Sequence, residues 1–477
     1  MGHGPRAAGL AALLVAALLT GCASSGPAAP MADSRPAAQR VALPYRLDPY
    51  PSTYRPLPRR DTLIAGAVVL DGLGHRLDGA DVLLRDGKVV AVGQNLPRPD
   101  GVRVIDAHGR WVTPGVIDIH SHDGDFAMPL TANDFQTLDV SESSDPNTAQ
   151  VWAEHAVSPG DPDFSRALAG GVTTLQVLPG SSNLFGGRGV VLKNVPAVTV
   201  QAMKFPGAPY GLKMACGENP RFTYGSKGRF PTSRMGEMAG YREAWLKARD
   251  YKAKWEAYEK DGGAAPERDL KLDTLAGVLD GDIRVHMHCY RAEEMAQIVD
   301  LSHEMGYRVT AFHHAVEAYK IADLLKREGI CAVVWPDWWG FKMEALDAIR
   351  ENAAFLDEAG VCVTMHSDSP AMGQRLTVEA GKAMAAGVRA GLDIRPERAI
   401  RWVTSNPAKG LGLDDRIGAL EAGKNADLVI WSGDPFSVYT KADQVFIDGA
   451  LVFDRADPKL QPKADFELGQ PAMASQP

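Results

Sequence analysis

The sequence lacks three features that would each point to a particular class of protein. Its N-terminal apolar stretch, residues 7–19, is shorter than the roughly 20 residues that a membrane-spanning helix needs. No stripe of Lys and Arg is present and the formal net charge is -8, so nucleic acid is not an expected partner. None of the 5 cysteines belongs to a C-x-x-C pair, which argues against a thiolate zinc site.

The first 22 residues are typical of an export signal. Arg6 precedes the apolar stretch, which ends in Leu-Thr-Gly-Cys at Cys22, and this arrangement resembles a bacterial lipobox. The resemblance implies that residues 1–22 are a lipoprotein signal peptide, cleaved before Cys22, and that the Cys22 sulfur carries the lipid anchor. An ordinary signal peptide with a chance cysteine is the alternative.

The segment after the signal predicts where the protein resides. Ala23 and Ser24 resemble the outer-membrane sorting pattern, so we expect a cell-envelope lipoprotein that faces the periplasm. Residues 23–58 are rich in Ala, Ser and Pro at their start and are predicted to be a disordered tether. Residues 457–477 are predicted to be a disordered tail.

Four cysteines remain after the signal. Cys216, Cys289, Cys331 and Cys362 each lie in or beside an apolar, strand-like run. Their spacing matches no known disulfide framework, so they are predicted to be buried, reduced thiols.

Two β-rich segments, residues 59–113 and 414–456, flank a different middle part. Both contain short strand-like runs joined by Asp-Gly and similar turn signals, which are typical of hairpins. Between them, residues 114–413 alternate strand-like and helix-like runs, which indicates a parallel sheet. About eight such units fit an α/β fold of the closed (β/α)₈ TIM barrel type.

Some local predictions follow within the barrel. Strands are expected at residues 172–180, 197–203 and 211–217, and the glycine-rich residues 180–189 are expected to form a loop on the catalytic face. Residues 219–275 form a polar insertion with helix-forming composition.

The function of this insertion stays open at this point. Its helix carries Trp245 and Trp255. It is either a lid over the site or an amphipathic helix packed on the outside of the barrel.

Histidines and an aspartate lie where four of the predicted strands end. In a barrel of this kind the carboxyl ends of the strands meet at one face, and neutral imidazole and carboxylate oxygens suit zinc and related divalent ions. The sequence therefore predicts a metal site at that face. The pairs are His120 with His122, His286 with His288, His313 with His314, and His366 with Asp368.

Strand geometry narrows the choice among these histidines. Because side chains alternate between faces, His313 and His314 are expected to point in opposite directions. His288 is nearer the strand end than His286 and is better placed for a ligand. Asp368 is predicted to take a proton from a water molecule and to return it to the leaving group.

A pair of ions would also need an anionic bridging ligand. Lys213 would become an anion if its amine were carbamylated, and Glu218 is an anion already. The structural alternatives are an ion pair at the barrel rim for Lys213 and a loop cap for Glu218. The count of metal ions, one or two, is therefore left open.

Three further residues are candidates for contact with substrate. Gly187 permits close approach of the backbone, and Arg188 could meet a carboxylate or a phosphate, unless it is a solvated surface side chain. His286 is the third candidate.

The residues in these motifs resemble the amidohydrolase superfamily. The similarity covers roughly residues 60–455, and it is carried by VTPGVIDIHSH (112–122), His288, His314, HSDSP around Asp368, SNPAKGLGL (405–413) and GALEAGKNADLVIWSGDP (418–435). Within the superfamily the chain is similar to the imidazolonepropionase-like and N-acetylglucosamine-6-phosphate deacetylase-like branch.

The resemblance implies a fold and a set of ligands. The fold is a barrel beside a small β-sandwich made from both ends of the chain. The implied metal ligands are His120, His122, His288 and His314, with Asp368 as both ligand and proton shuttle. In prolidase-like relatives a carbamylated lysine bridges two metals, which would be Lys213, whereas in deacetylase relatives a glutamate does so, which would be Glu218.

The expected activity is therefore hydrolysis of an amide or another C–N bond by a metal-dependent hydrolase, with one or two zinc ions. Candidate substrates are a dipeptide, an N-acyl amino acid or a cyclic amide. The alternatives are an N-acetyl amino-sugar deacetylase and a non-catalytic envelope binding protein. The expected partners are a small-molecule substrate and, through the anchor, a membrane; a homo-oligomer is left open.

Overall fold

The computed structural model describes residues 48–461, except residues 129, 133, 370 and 371. For residues 134 and 135 it describes the backbone but not the side chains. The predicted signal peptide with Cys22, the tether up to residue 47 and the tail from residue 462 lie outside the described residues. Within the described part, no helix is long and apolar enough to cross a bilayer.

The described part contains two sheets, built from strands that follow the chain in order. The strands are β1 (Thr62–Leu70), β2 (Arg76–Arg85), β3 (Lys88–Gly93), β4 (Arg103–Asp106), β5 (Trp111–Pro114), β6 (Val116–Ser121), β7 (Val172–Val177), β8 (Phe185–Lys193), β9 (Tyr210–Ala215), β10 (Ile283–Cys289), β11 (Val309–His314), β12 (Cys331–Val334), β13 (Cys362–Met365), β14 (Leu428–Trp431), β15 (Ala442–Ile447) and β16 (Ala450–Asp454).

The helices lie mostly between the strands of the second sheet. They are α1 (Pro162–Ala169), α2 (Val200–Met203), α3 (Glu218–Gly225), α4 (Arg234–Asp261), α5 (Leu270–Leu279), α6 (Ala292–Met305), α7 (Ala322–Glu328), α8 (Asn352–Glu358), α9 (Leu376–Arg389), α10 (Pro396–Ala399) and α11 (Ser405–Leu411). Short 3₁₀ helices, such as Ala153–His155 and Met343–Ala345, connect some of them.

The two β-rich segments predicted from the sequence combine in one sheet. Its strand order is β16-β15-β14-β5-β1-β2-β3, with β4 beside β1. Asp86-Gly87 and Asp448-Gly449 connect antiparallel neighbours, and all four residues have positive φ, which is the turn chemistry that suits two-residue hairpins. The composite sheet is therefore present, while its division into two sandwiched layers stays a prediction.

The second sheet is a nearly closed barrel with the strand order β13-β12-β11-β10-β9-β8-β7-β6. The first and last strands of this order, β13 and β6, meet near their carboxyl ends, where the backbone N–H of Asp368 donates to the carbonyl of His120 at 2.9 Å. The predicted eight-stranded barrel is thus present in its main features. It is not wholly parallel, because β8 runs antiparallel to both β7 and β9.

Two local predictions in this region are wrong. Residues 197–203 do not form a strand but contain the helical turn α2, and the predicted loop 180–189 enters β8 at Phe185. The glycines that suggested a loop are required by close packing within the barrel: a Cβ on Gly189 would lie 2.4 Å from Leu178 Cδ2. Because Gly189 has no side chain, β8 can pack closely against its neighbours and is buried along its whole length.

The helical insertion packs on the outside of the barrel. Trp245 of α4 is fully buried, and its ring stacks on Tyr307 and lies edge-on to Phe185. Trp255 is also buried, beside Tyr251. These contacts support the exterior-helix alternative over a lid.

The end of the predicted tether is packed, which corrects the expectation of disorder for residues 48–58. Tyr54 donates to Asp448, and Ser52 donates to the carbonyl of Lys204. Asp48 forms an ion pair with Lys204. Enrichment in Ala, Ser and Pro is confined to the start of the tether, whereas Tyr50 and Tyr54 near its end can bury apolar surface.

The four cysteines form two disulfides, so the prediction of reduced thiols is wrong. Cys216 pairs with Cys289, and Cys331 pairs with Cys362. Each bond joins two adjacent parallel strands or their ends, which places the Cα atoms 5.3 Å and 4.5 Å apart. The spacing of the cysteines along the chain could not reveal these pairs, because the two cysteines of each pair become neighbours only when their strands lie side by side in the barrel.

Candidate metal centre

The first ligand candidates lie at the end of β6. This strand is buried along its whole length, and the alternation of its side chains directs His120 and His122 to the same side, as expected. His120 Nε2 lies 3.1 Å from Asp368 Oδ1, and His122 Nε2 lies 3.2 Å from the same oxygen. One carboxylate thus joins both imidazoles.

Asp368 follows the end of β13, where the backbone turns sharply. Its φ is +47°, a conformation that costs a non-glycine residue about 1 to 3 kcal/mol and that often marks functional sites. This turn directs the carboxylate inward, so that Oδ2 lies 3.7 Å from His314 Nδ1. Asp368 is therefore the central acceptor of the cluster.

His313 and His314 both lie in the cluster, which corrects the expectation that they face opposite ways. His314 has a φ of +69° and Ala315 a φ of +33°, so the regular alternation of β11 ends at His313. His313 Nδ1 lies 3.0 Å from His120 Nδ1, while the ring of His314 lies against that of His288 with centroids 4.4 Å apart. The alternation of side chains between two faces applies only to extended backbone, and the backbone of His314 is not extended.

His366 is a further candidate ligand; the sequence placed it at the predicted metal site beside Asp368, but the implied ligand set did not include it. One ligand atom from each of four residues lies within 4.8 Å of the others; these residues are His120, His314, His366 and Asp368. The ring of His366 stacks on that of His120 at 5.1 Å. The signal was present in the sequence, because His366 and Asp368 have the same one-residue spacing as His120 and His122.

The buried nitrogens of the cluster fit a bound cation. His122 Nδ1, His314 Nδ1 and both ring nitrogens of His288 and His366 have no hydrogen-bond partner, although each of these histidines is buried. A buried polar atom without a partner is costly. Neutral imidazoles around a carboxylate are the donor set that zinc and similar divalent ions take.

The pKa values of His288, His366 and Asp368 agree with this assignment. Burial lowers the pKa of His288 to about 4 and that of His366 to about 3, so both rings are neutral at pH 7. Burial alone would raise the pKa of Asp368, but the hydrogen bond and charge of His122 outweigh it and lower the pKa. His122 is the exception. Burial lowers its pKa, but the nearby carboxylates of Asp125 and Asp368 outweigh burial and raise the pKa to about 9, so a cation that binds this ring would displace its proton.

Lys213 lies inside the cluster and Glu218 does not. Lys213 Nζ is 3.1 Å from His120 Nε2 and donates to the carbonyl of Pro179 at 3.0 Å. Burial lowers its pKa to about 8. Glu218 instead begins α3, where its Oε1 accepts a hydrogen bond from the backbone N–H of Glu344 at 3.0 Å.

The three candidate substrate contacts are placed differently from one another. His286 lies in the barrel, with Nδ1 2.9 Å from His313 Nε2. Arg188 is buried and pairs in register with Leu212 of β9. Leu212 precedes Lys213 in that strand, so its side chain lies on the face of β9 opposite the lysine. The guanidinium of Arg188 packs 4.3 Å from the Trp152 ring and donates to Thr274.

Arg188 therefore points out of the barrel, and the structure does not bring it to the cluster. Gly187 pairs with Lys213, and a Cβ there would lie 2.5 Å from the carbonyl oxygen of Val151. Its φ of +117° also favours glycine. Gly187 thus serves packing beside the lysine.

Two residues near the cluster were missed from the sequence. Asp125 Oδ1 lies 3.6 Å from His122 Nδ1, where a carboxylate can orient a ligand imidazole. Trp335 stacks on both His314 and His366, with centroids 4.4 Å and 4.8 Å away. Asp125 follows His122 by three residues, so its proximity was a local signal in the sequence, whereas only the fold brings Trp335 to the site.

A barrel with an imidazole and carboxylate cluster at the carboxyl ends of its strands is the architecture of metal-dependent barrel enzymes. Sequence comparison identifies the family. The model of the amidohydrolase family matches residues 111–454, and the chain belongs to that family.

Known proteins agree with this assignment. The chain is 32% identical over 409 residues to the amidohydrolase tasK of Hapsidospora irregularis, a match that covers 80% of this chain and 41% of the fungal protein. This chain therefore spans less than half of that relative. It is also 24% identical over 386 residues to the imidazolonepropionase of Mesorhizobium japonicum, which covers 76% of this chain and 88% of that protein.

A solved structure is also similar. The crystal structure of an amidohydrolase from Thermotoga maritima MSB8 superposes with a TM-score of 0.76 at 37% identity, and covers 83% of this chain and 100% of the other. The barrel and the amidohydrolase assignment are thus supported by both sequence and structure.

Proposed function

We propose that this protein is a metal-dependent hydrolase of an amide bond in a small molecule, such as a dipeptide, an N-acyl amino acid or a cyclic amide. The observation that carries the proposal is the buried group of His120, His314, His366 and Asp368, whose ligand atoms lie within 4.8 Å of one another. A non-catalytic binding protein would have no need to keep these costly unpaired nitrogens.

The residues of the chain have distinct roles in this proposal. A divalent cation bound at the cluster would polarise the amide carbonyl and acidify a water molecule. Asp368 accepts the proton of that water and then donates it to the leaving nitrogen. Its position between His120 and His122 keeps it ionised and close to the reacting atoms.

In this proposal the site would hold one or two divalent ions, and Lys213, once carbamylated, would be an anionic ligand. With two ions, His120, His122 and Asp368 would hold one ion, and His288 with His314 would hold the other. His366, which belongs to the same group, would be a further ligand. Support comes from the buried amine next to His120 and from its pKa of about 8, because a neutral amine is the form that reacts with carbon dioxide to give an anionic carbamate.

The Asp368→Asn variant tests the proposed role of Asp368. We expect the metal content of the purified protein to remain within about twofold, because an amide oxygen can still contact the ion, while kcat falls at least about 100-fold. The assays use dipeptides, N-acetyl amino acids and N-acetylglucosamine, so that an amino-sugar deacetylase would also be detected. Wild-type turnover in the variant would remove Asp368 from the reaction.

We also propose that the protein is a lipoprotein of the cell envelope, anchored through Cys22 and facing the periplasm. The lipobox-like sequence at residues 19–22 supports this location, as do the two disulfides, since such bonds persist in oxidising compartments. In the Cys22→Ala variant the protein should remain an unprocessed precursor or become soluble. A mature, membrane-bound variant would contradict lipidation.

A further inference from the structure

A cavity of about 650 Å³ opens at the N-terminal part of α3, where Glu218 and Asn219 line it. Its lining includes Ser181, Arg221, Phe222 and Lys342. The volume falls in the range of small-molecule sites, which makes the cavity a candidate for the part of the substrate that does not react.

Two connections link this cavity to the cluster. Lys342 Nζ lies 2.6 Å from Glu344 Oε1, and that oxygen lies 3.9 Å from His288 Nε2. On the other wall, Ser181 follows Pro179 by two residues, and the Pro179 carbonyl accepts a hydrogen bond from Lys213. The cavity is therefore linked to the cluster through Glu344 on the His288 side and through the Pro179 carbonyl on the Lys213 side.

The two cations of the cavity differ in their partners. Lys342 is engaged, because its ammonium pairs with Glu344 and donates to Asn219 Oδ1 at 2.9 Å. Arg221 donates only through Nε, to the carbonyl of Gly217 at 2.9 Å. Among the described residues, neither of its terminal nitrogens has a hydrogen-bond partner.

The charge of Arg221 is also weakly compensated. Among the described residues, the carboxylate within ion-pair distance of it belongs to Glu237, whose Oε1 lies 4.0 Å from Arg221 Nε. Glu218 lines the same cavity, but its Oε1 accepts a hydrogen bond from the backbone N–H of Glu344. Burial raises the pKa of Glu237 to about 8, so this group is mostly neutral at pH 7. Arg221, whose side chain is 30% exposed, thus presents a free guanidinium fork at the cavity.

We propose that Arg221 binds a free carboxylate of the substrate in this cavity. The paired terminal N–H groups of an arginine match a carboxylate in a bidentate geometry. Phe222, which is 77% exposed, offers an apolar surface next to it for a side chain. This inference rests on the proposed amide hydrolysis and narrows the substrate to an N-acyl amino acid or a dipeptide, in place of a neutral cyclic amide.

The first test measures binding without turnover. We would titrate the metal-loaded protein with L-leucine and with L-leucinamide, which differ in the carboxylate, and measure heat of binding. The acid should bind at least about tenfold more tightly, and the Arg221→Gln variant should lose that preference. Arg234→Gln is the matched control, because Arg234 is paired with Glu293 and Glu294; it should retain the preference.

The second test measures kinetics with matched substrates, namely N-acetyl-L-leucine, glycyl-L-leucine and their C-terminal amides. Arg221→Gln should lower kcat/KM for the acids by roughly 10- to 100-fold, mainly through KM, with little effect on the amides and unchanged metal content.

The two tests separate the possible failures. Acid-selective binding that depends on Arg221, together with no turnover of any amide, would support the carboxylate subsite and overturn the proposed hydrolysis. Equal binding of leucine and leucinamide, or an Arg221→Gln variant with intact acid preference, would overturn the carboxylate subsite whatever the turnover.

Discussion

The two disulfides offer a matched pair of perturbations, because one adjoins the candidate metal centre and the other does not. Cys289 directly follows His288, and the backbone N–H of Cys216 donates to the His288 carbonyl at 2.9 Å. Cys331 and Cys362 begin β12 and β13, at the opposite end of the barrel. We expect loss of either bond to reduce stability, but only loss of the first to affect metal binding.

The size of the stability change follows from the loop that each bond closes. The sequence separations are 73 and 31 residues. Chain entropy then predicts a loss of about 4 kcal/mol in the free energy of unfolding for each pair, with the longer loop slightly the larger. The effect on metal affinity should be about tenfold or more for the first pair, as for other groups that orient a ligand histidine.

The assay compares two double variants, Cys216→Ala with Cys289→Ala, and Cys331→Ala with Cys362→Ala. Denaturant unfolding gives the change in stability, and competition with a chelator gives zinc affinity. Equal losses of zinc affinity in both variants would refute the claim that the Cys216–Cys289 bond positions His288. Unchanged stability in both would refute the presence of the disulfides in the folded protein.

Two further predictions concern single carboxylates and the buried lysine. Lys213→Ala should lower metal content and reduce kcat at least about 100-fold, whereas Glu218→Ala should leave metal content unchanged. Metal content is measured by elemental analysis. If only Glu218→Ala lost metal, Glu218 and not Lys213 would be the anionic metal ligand. The pKa of Glu237 rises from 4.5 to about 8, so the folded state holds a proton that the unfolded state loses. Stability should therefore fall between pH 4.5 and 8, with a contribution of up to about 1.4 kcal/mol per pH unit. Glu237→Gln should remove that contribution, and an unchanged pH profile of unfolding would contradict the raised pKa.

Much of the fold was readable from the sequence because local chemistry encodes it. The Asp-Gly turns at Asp86 and Asp448 predicted hairpins that the structure contains. The alternation of strands and helices predicted the barrel, and its eight strands are present. The antiparallel β8 was missed because its glycines, such as Gly189, resemble those of a loop, and only the packing of neighbouring strands explains them.

The candidate site was readable only in part for a related reason. His120 and His122 follow regular strand alternation, so their common direction was predictable. His314 and Asp368 have positive φ, and no periodic rule describes a backbone that departs from the strand. The contact of Trp335 with His366 joins distant segments, arises from the closed barrel and leaves no local pattern.

The most direct test of the metal centre is a crystal structure of the zinc-loaded protein with anomalous scattering measured at the zinc edge. We expect anomalous peaks inside the cluster, about 2.0 to 2.2 Å from imidazole nitrogens of His120, His122, His288 or His314 and from a carboxylate oxygen of Asp368. The absence of an anomalous peak among these side chains at saturating zinc would contradict the assignment of the cluster as a metal centre.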